Sequence, residues 1–82
     1  MDDRAIQIVF RYIADAFPRL AVAYYDVFIV WKCKTLQNWK YLISTSVGDG
    51  MYYELSYNGD KREWYLDAYK KQENRVFKEE SL

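Results

Sequence analysis

A chain of 82 residues with twelve basic and twelve acidic side chains carries no formal net charge. That balance argues against non-specific nucleic-acid binding and equally against an acidic DNA mimic. The lack of histidine and the single cysteine, Cys33, exclude a Cys–His pair, an internal disulfide and a CxxC zinc site. No apolar run reaches the roughly 18 residues of a membrane span. The N-terminal MDDRAIQIVF, acidic at its tip and interrupted by Arg11, does not read as a signal peptide. The composition therefore predicts one soluble domain of a reducing, intracellular compartment, near the lower size limit for a single core.

The first predicted element is a helix over residues 3–17. Asp2 or Asp3 can cap it, because a short carboxylate accepts from the free amides of the first turn. Ile6, Val9, Phe10, Ile13, Ala14 and Phe17 recur at spacings of three and four and form one apolar stripe, with Arg4, Gln7, Arg11 and Asp15 opposite. Pro18 ends the helix, since the residue before a proline avoids the helical region. Residues 19–26 fit either a connecting turn or an extension of the next strand.

From Val27 the period changes to two. Val27, Ile29, Trp31 and Cys33 share one face of a first strand; Phe28, Val30, Lys32 and Lys34 share the other. Residues 35–38 supply a turn, with Asn38 suited to a left-handed backbone. A second strand covers residues 39–46, with Trp39, Tyr41, Ile43 and Thr45 opposed to Lys40, Leu42, Ser44 and Ser46. Gly48 and Gly50 mark the next turn. A third strand covers residues 51–57, with Met51, Tyr53, Leu55 and Tyr57 on one side.

Asn58-Gly59 is the strongest short-range hairpin signal, because a type I′ turn needs positive φ twice. It makes residues 62–69 a fourth strand, with Trp64, Leu66 and Ala68 opposed to Tyr65, Asp67 and Tyr69. A helix competes over residues 61–73, where Asp60 and Glu63 would form a capping box. The strand is favoured by its aromatics. Residues 70–82 read as a short helix or a tail, pinned back by Val76 and Phe77. The predicted fold is α+β: an N-terminal helix on a four-stranded antiparallel meander over residues 27–69.

One helix shields one side of such a sheet, and nine Tyr, three Trp and four Phe exceed what a small core hides. Tyr52, Tyr57, Tyr65 and Tyr69, with Trp31 and Trp39, are the candidate binding residues, since Tyr and Trp bury rigid area and keep a polar tip. Lys32, Lys34 and Lys40 beside those rings offer an alternative, a grip on single-stranded nucleic acid or a nucleotide ligand. Solvated lysines guarding a sheet edge are the plainer reading. Cys33 is the one conceivable nucleophile, but alternation turns Lys32 and Lys34 away from it and places it in the core. Glu54 and Asp67, cross-strand neighbours in the last hairpin, could share a proton or an ion, yet no ligand cluster accompanies them. No catalytic residue, metal or cofactor is predicted.

The blocks WKCKTLQN and YYELSYNGDK, within a stretch of about half to two-thirds of the chain, resemble a family of small proteins of phages and prophages of Gram-positive bacteria. The family has no assigned activity, so the resemblance implies a setting and no site residues. It implies a phage-borne accessory protein in the cytoplasm of the bacterial host. Together these readings predict a non-enzymatic protein that binds a host or host-defence protein. A homodimer through the surplus aromatics is the further alternative, and no membrane partner is expected.

Overall fold

The computed structural model describes residues 1–82. Helix α1, Asp2–Ala16, is amphipathic because apolar side chains recur every three or four positions. It buries Ala5, Val9 and Ile13, a stripe rotated from the predicted one. Ala14 and Phe17 lie exposed, and Ile6 and Phe10 flank the contact half-buried. Small Ala5 sits in one cluster with the large Tyr41 and Tyr53 rings of the sheet. Helix α1 ends as Pro18 dictates, with the Phe17 amide donating to the Ile13 carbonyl at 2.8 Å. Neither Asp2 nor Asp3 caps the helix, whose N-cap is Met1 without a side-chain bond. Asp2 is drawn away by stronger partners on the sheet, described below.

The connection after α1 is a turn and not a strand extension. It tucks Leu20 and Val22 against the core and closes in a 3-10 turn, Tyr24–Asp26. Asp26 holds this corner: one carboxylate oxygen accepts from the Ala23 amide and the other from the Ser46 hydroxyl, each at 2.8 Å.

Four strands follow: β1 Val27–Thr35, β2 Asn38–Thr45, β3 Met51–Asn58 and β4 Glu63–Lys70. They pair antiparallel in chain order, the predicted meander. Helix α1 covers one face, so the core is a single layer: Ala5, Val9 and Ile13 above Val27, Tyr41, Ile43, Tyr53 and Leu55. The Cα trace spans 47 × 36 × 18 Å, thin because nothing covers the other face. No helix is long and apolar enough to cross a membrane.

The predicted face assignments of β2, β3 and β4 hold, and Trp64, Leu66 and Ala68 face the helix side opposite Tyr57, Leu55 and Tyr53. In β1 they break. Ile29 pairs with Ile43, but Trp31 pairs with Leu42, so Val30 is an extra residue, a β-bulge. One inserted residue reverses every later side chain. Trp31 and Cys33 therefore leave the core side for the open face, while Lys32 and Lys34 turn toward the helix side, opposite Tyr41 and Trp39. The expectation that Cys33 is buried is overturned: it is exposed.

The turns differ in detail from expectation. Positive φ between β1 and β2 falls on Leu36, at 57°, and not on Asn38, which opens β2. Asn58-Gly59 is no two-residue I′ turn: it begins a four-residue connection whose only positive φ is Arg62, at 54°. The Asn58 carboxamide oxygen accepts from the amides of Asp60 and Lys61. Gly59 is needed for a close approach, because a Cβ there would collide with the Gln37 carbonyl. The helical alternative over residues 61–73 fails, since β4 pairs with β3 from Asn58–Glu63 through to Met51–Lys70. Beyond Lys71, whose amide donates to Gly50 at 2.7 Å, the chain runs without regular secondary structure to a 3-10 turn at Glu79–Ser81. Val76 and Phe77 do not pin it back; they are 81% and 68% exposed.

Candidate functional site: the open face of the sheet

The face away from α1 follows from the register. It carries Phe28, Trp31, Cys33 and Thr35 from β1, then Asn38, Lys40, Leu42 and Ser44 from β2. From β3 and β4 come the cross-strand pairs Tyr52–Tyr69, Glu54–Asp67, Ser56–Tyr65 and Asn58–Glu63. Phe28, Trp31, Tyr52, Tyr65 and Tyr69 are 43–53% exposed. Of the nine predicted binding residues, this face gathers Trp31, Tyr52, Tyr65, Tyr69 and Lys40. Phe28 was missed as a binding residue, although its alternation with Val27 and Ile29 was there to read.

The other four lie on the helix side. Trp39 stacks on Tyr41 with ring centroids 5.8 Å apart, and Tyr57 packs on Trp64 at 4.8 Å; both are half-buried framework residues. Lys34 sits over the Trp39 ring at 5.5 Å. Lys32 donates to Asp2 at 2.7 Å. The predicted lysine trio is thus divided by the bulge, and Lys40 alone accompanies the open-face rings.

The electrostatics of the open face follow from this division. Lys40 is 3.5 Å from Glu54, while Glu63 and Asp67 have no cationic partner. Lys40, and Lys71 just past the end of β4 beside Ser44 and Tyr52, meet three acids, so the face is net acidic by one charge within a neutral chain. The Tyr65 hydroxyl donates to Glu63 at 3.4 Å; partial loss of water, then the Glu63 charge, hold its pKa above the ordinary phenol value.

Trp31 and Tyr65 flank a hollow of about 450 Å³ over Cys33, Lys40 and Ser56, which together with Tyr65 form a row that crosses all four strands in register. Cys33 stands opposite Lys40 there, a cation on its own face that strict alternation did not place. No general base accompanies the thiol. A second cleft, about 760 Å³, lies beside the end of α1 between Phe17, Leu20, Asp49, Met51, Ala68 and Lys70. One Asp49 oxygen accepts from the Met51 amide at 3.1 Å. Burial, and next the Asp49 charge, push the Tyr53 hydroxyl up to about 12. Its oxygen and Asp49 Oδ2 are buried without a partner. No group of three or more Cys, Asp or Glu side chains is arranged to hold a metal ion.

Neither the curated proteins nor the solved structures compared contain a match to this chain. The sequence pattern of one family, described as a family of unknown function (DUF6275), matches residues 2–79. Spanning helix, sheet and most of the tail, that match makes the chain a member of the DUF6275 family of unknown function.

Proposed function

We propose that this is a non-enzymatic accessory protein that acts by binding another protein through the open face of its sheet. The observation that carries the reading is the set of five half-exposed rings, Phe28, Trp31, Tyr52, Tyr65 and Tyr69, on a face with no covering layer. A buried aromatic side chain removes about 150–250 Å² from water, so five half-exposed rings offer on the order of 500 Å². With the side chains between them, the face approaches the roughly 800 Å² per partner of a standard interface. Large exposed apolar patches of this kind mark interaction sites. The likeness of WKCKTLQN and YYELSYNGDK to phage and prophage proteins directs the proposal to a host or host-defence protein in the bacterial cytoplasm.

The charge of the face favours a protein over nucleic acid. Phosphate-tracking surfaces interleave rings with several cations, and here Lys40 already lies near Glu54 while Lys71 stands at the edge of the face. Affinity capture from bacterial lysate tests the reading. Wild type is expected to retain a stoichiometric protein through washes of rising salt, and Tyr52→Ala with Tyr65→Ala is expected to lose it while keeping its circular dichroism. Equal capture by that variant, or capture of no protein, would sink the proposal.

A further inference from the structure

We propose that the open face recognises an arginine side chain of its protein partner, held over the Glu54–Asp67 pair between the surrounding tyrosines. This rests on the protein-binding reading of the same face and names its chemistry.

Glu54 and Asp67 stand directly opposite one another on β3 and β4. Like charges so placed repel across a sheet, where an opposite pair would stabilise it. One row away on one side lie Tyr52 and Tyr69, themselves directly opposite; one row away on the other lie Ser56 and Tyr65. Rows on one face are spaced about 7 Å apart, so the rings border the carboxylates closely enough to lean over a group seated on them. All three tyrosines are about half exposed. Leu42 adjoins Glu54 on β2, and Trp31 adjoins Leu42 on β1. Two carboxylates thus sit framed by aromatic and aliphatic surface, with only Lys40 in reach, at 3.5 Å from one Glu54 oxygen.

Any partner that covers these rings also takes the carboxylates out of water. Burying an unpaired charge is costly, so the covering surface must bring positive charge to this spot. That requirement disfavours a nucleic acid. It disfavours a second copy of this chain as well, since two faces that each carry an excess of acids would repel. Between the two cations, arginine fits better. Its planar guanidinium is weakly hydrated, stacks on tyrosine faces and offers parallel N–H donors to more than one carboxylate. Facing Cβ atoms on paired strands lie about 5 Å apart, a separation that one guanidinium edge bridges. Lysine offers a compact, strongly hydrated charge with no stacking plane.

The test is amide NMR of the whole chain titrated with three probes at constant ionic strength: N-acetyl-arginine methylamide, its lysine analogue and its glutamate analogue. The arginine probe is expected to give saturable shifts at Tyr52, Glu54, Asp67 and Tyr69, with the lysine probe about fivefold weaker and the glutamate probe silent. Glu54→Gln with Asp67→Asn, near-isosteric changes at a half-buried and an exposed position, should remove the arginine response and leave the rest of the spectrum in place. Arginine shifts that persist in that variant, or that map to the helix side, overturn the proposal. So does an oligothymidylate that shifts the same amides more strongly, or a sedimentation mass showing that two copies cover the face. Lysate capture separates the two levels. If Glu54→Gln with Asp67→Asn still captures the partner that Tyr52→Ala with Tyr65→Ala loses, the arginine assignment falls and protein binding stands. If neither variant changes capture, both fall.

Discussion

The Tyr41 hydroxyl donates to Asp2 at 2.8 Å and so ties the first turn of α1 to the middle of β2. Lys32 donates to the other Asp2 oxygen at 2.7 Å, which joins the edge strand β1 to the same point. The Lys32 bond first, and the Tyr41 bond next, hold the Asp2 carboxyl below its ordinary value of 3.8. A carboxyl with a depressed folded pKa contributes stability that is present above the unfolded value. That contribution is lost as pH falls through the folded value. The melting temperature of wild type is therefore expected to drop as pH is lowered past 3.8. Asp2→Asn should start lower at neutral pH and show a shallower acid slope. An unchanged slope would remove the tie from the account.

Alkaline stability has the opposite sign. Burial first, and Asp2 next, raise the Tyr41 hydroxyl well above the phenol range. Burial and Asp49 raise Tyr53 from 10.0 to about 12. For groups whose folded pKa is raised, the stability is intact below the unfolded value and lost as pH climbs through the folded one. Urea midpoints should hold steady to the ordinary phenol value of 10.0 and fall above it. In tyrosinate absorbance, Tyr41 and Tyr53 should titrate only as the fold opens.

Truncations on the two faces of the sheet should differ sharply. Ile43 and Leu55 are fully buried beneath α1, and Ile43→Ala or Leu55→Ala is expected to cost about 2–5 kcal/mol. That is a large share of the roughly 4–12 kcal/mol available to a chain of this size. Tyr52→Ala and Tyr69→Ala, on the open face, should each cost less than about 1 kcal/mol. Urea unfolding followed by circular dichroism reads both. Comparable losses on the two faces would mean that the open-face rings belong to the framework.

The bulge at Val30 makes a chemical prediction. Because it delivers Cys33 to the open face, a water-soluble disulfide reagent should label the thiol in the native protein at a rate close to that in denaturant. Slow native labelling that denaturant accelerates greatly would place Cys33 inside and return β1 to strict alternation.

Alternation in β2, β3 and β4 was sufficient to read their faces, because a two-residue period is a local property and each of these strands keeps it unbroken. The same holds for the existence of α1 and its stop at Pro18, where backbone sterics act within a few residues. The Asn58-Gly59 signal located the last hairpin but misnamed its turn, since Gly59 answers to the neighbouring Gln37 carbonyl and not to its own dihedral preference. Asp2 looked like a helix cap until Lys32 and Tyr41, distant in sequence, offered its carboxylate better bonds. Most consequential is Val30. Strand β1 must begin opposite Thr45 and end opposite Asn38, and one residue more than its partner can match in that interval has to bulge. No periodicity in β1 announces this, because register is agreed between two strands. Pairing alone decided that Trp31 and Cys33 face outward and Lys32 and Lys34 do not. Through that exchange it set the aromatic content and the negative sign of the open face.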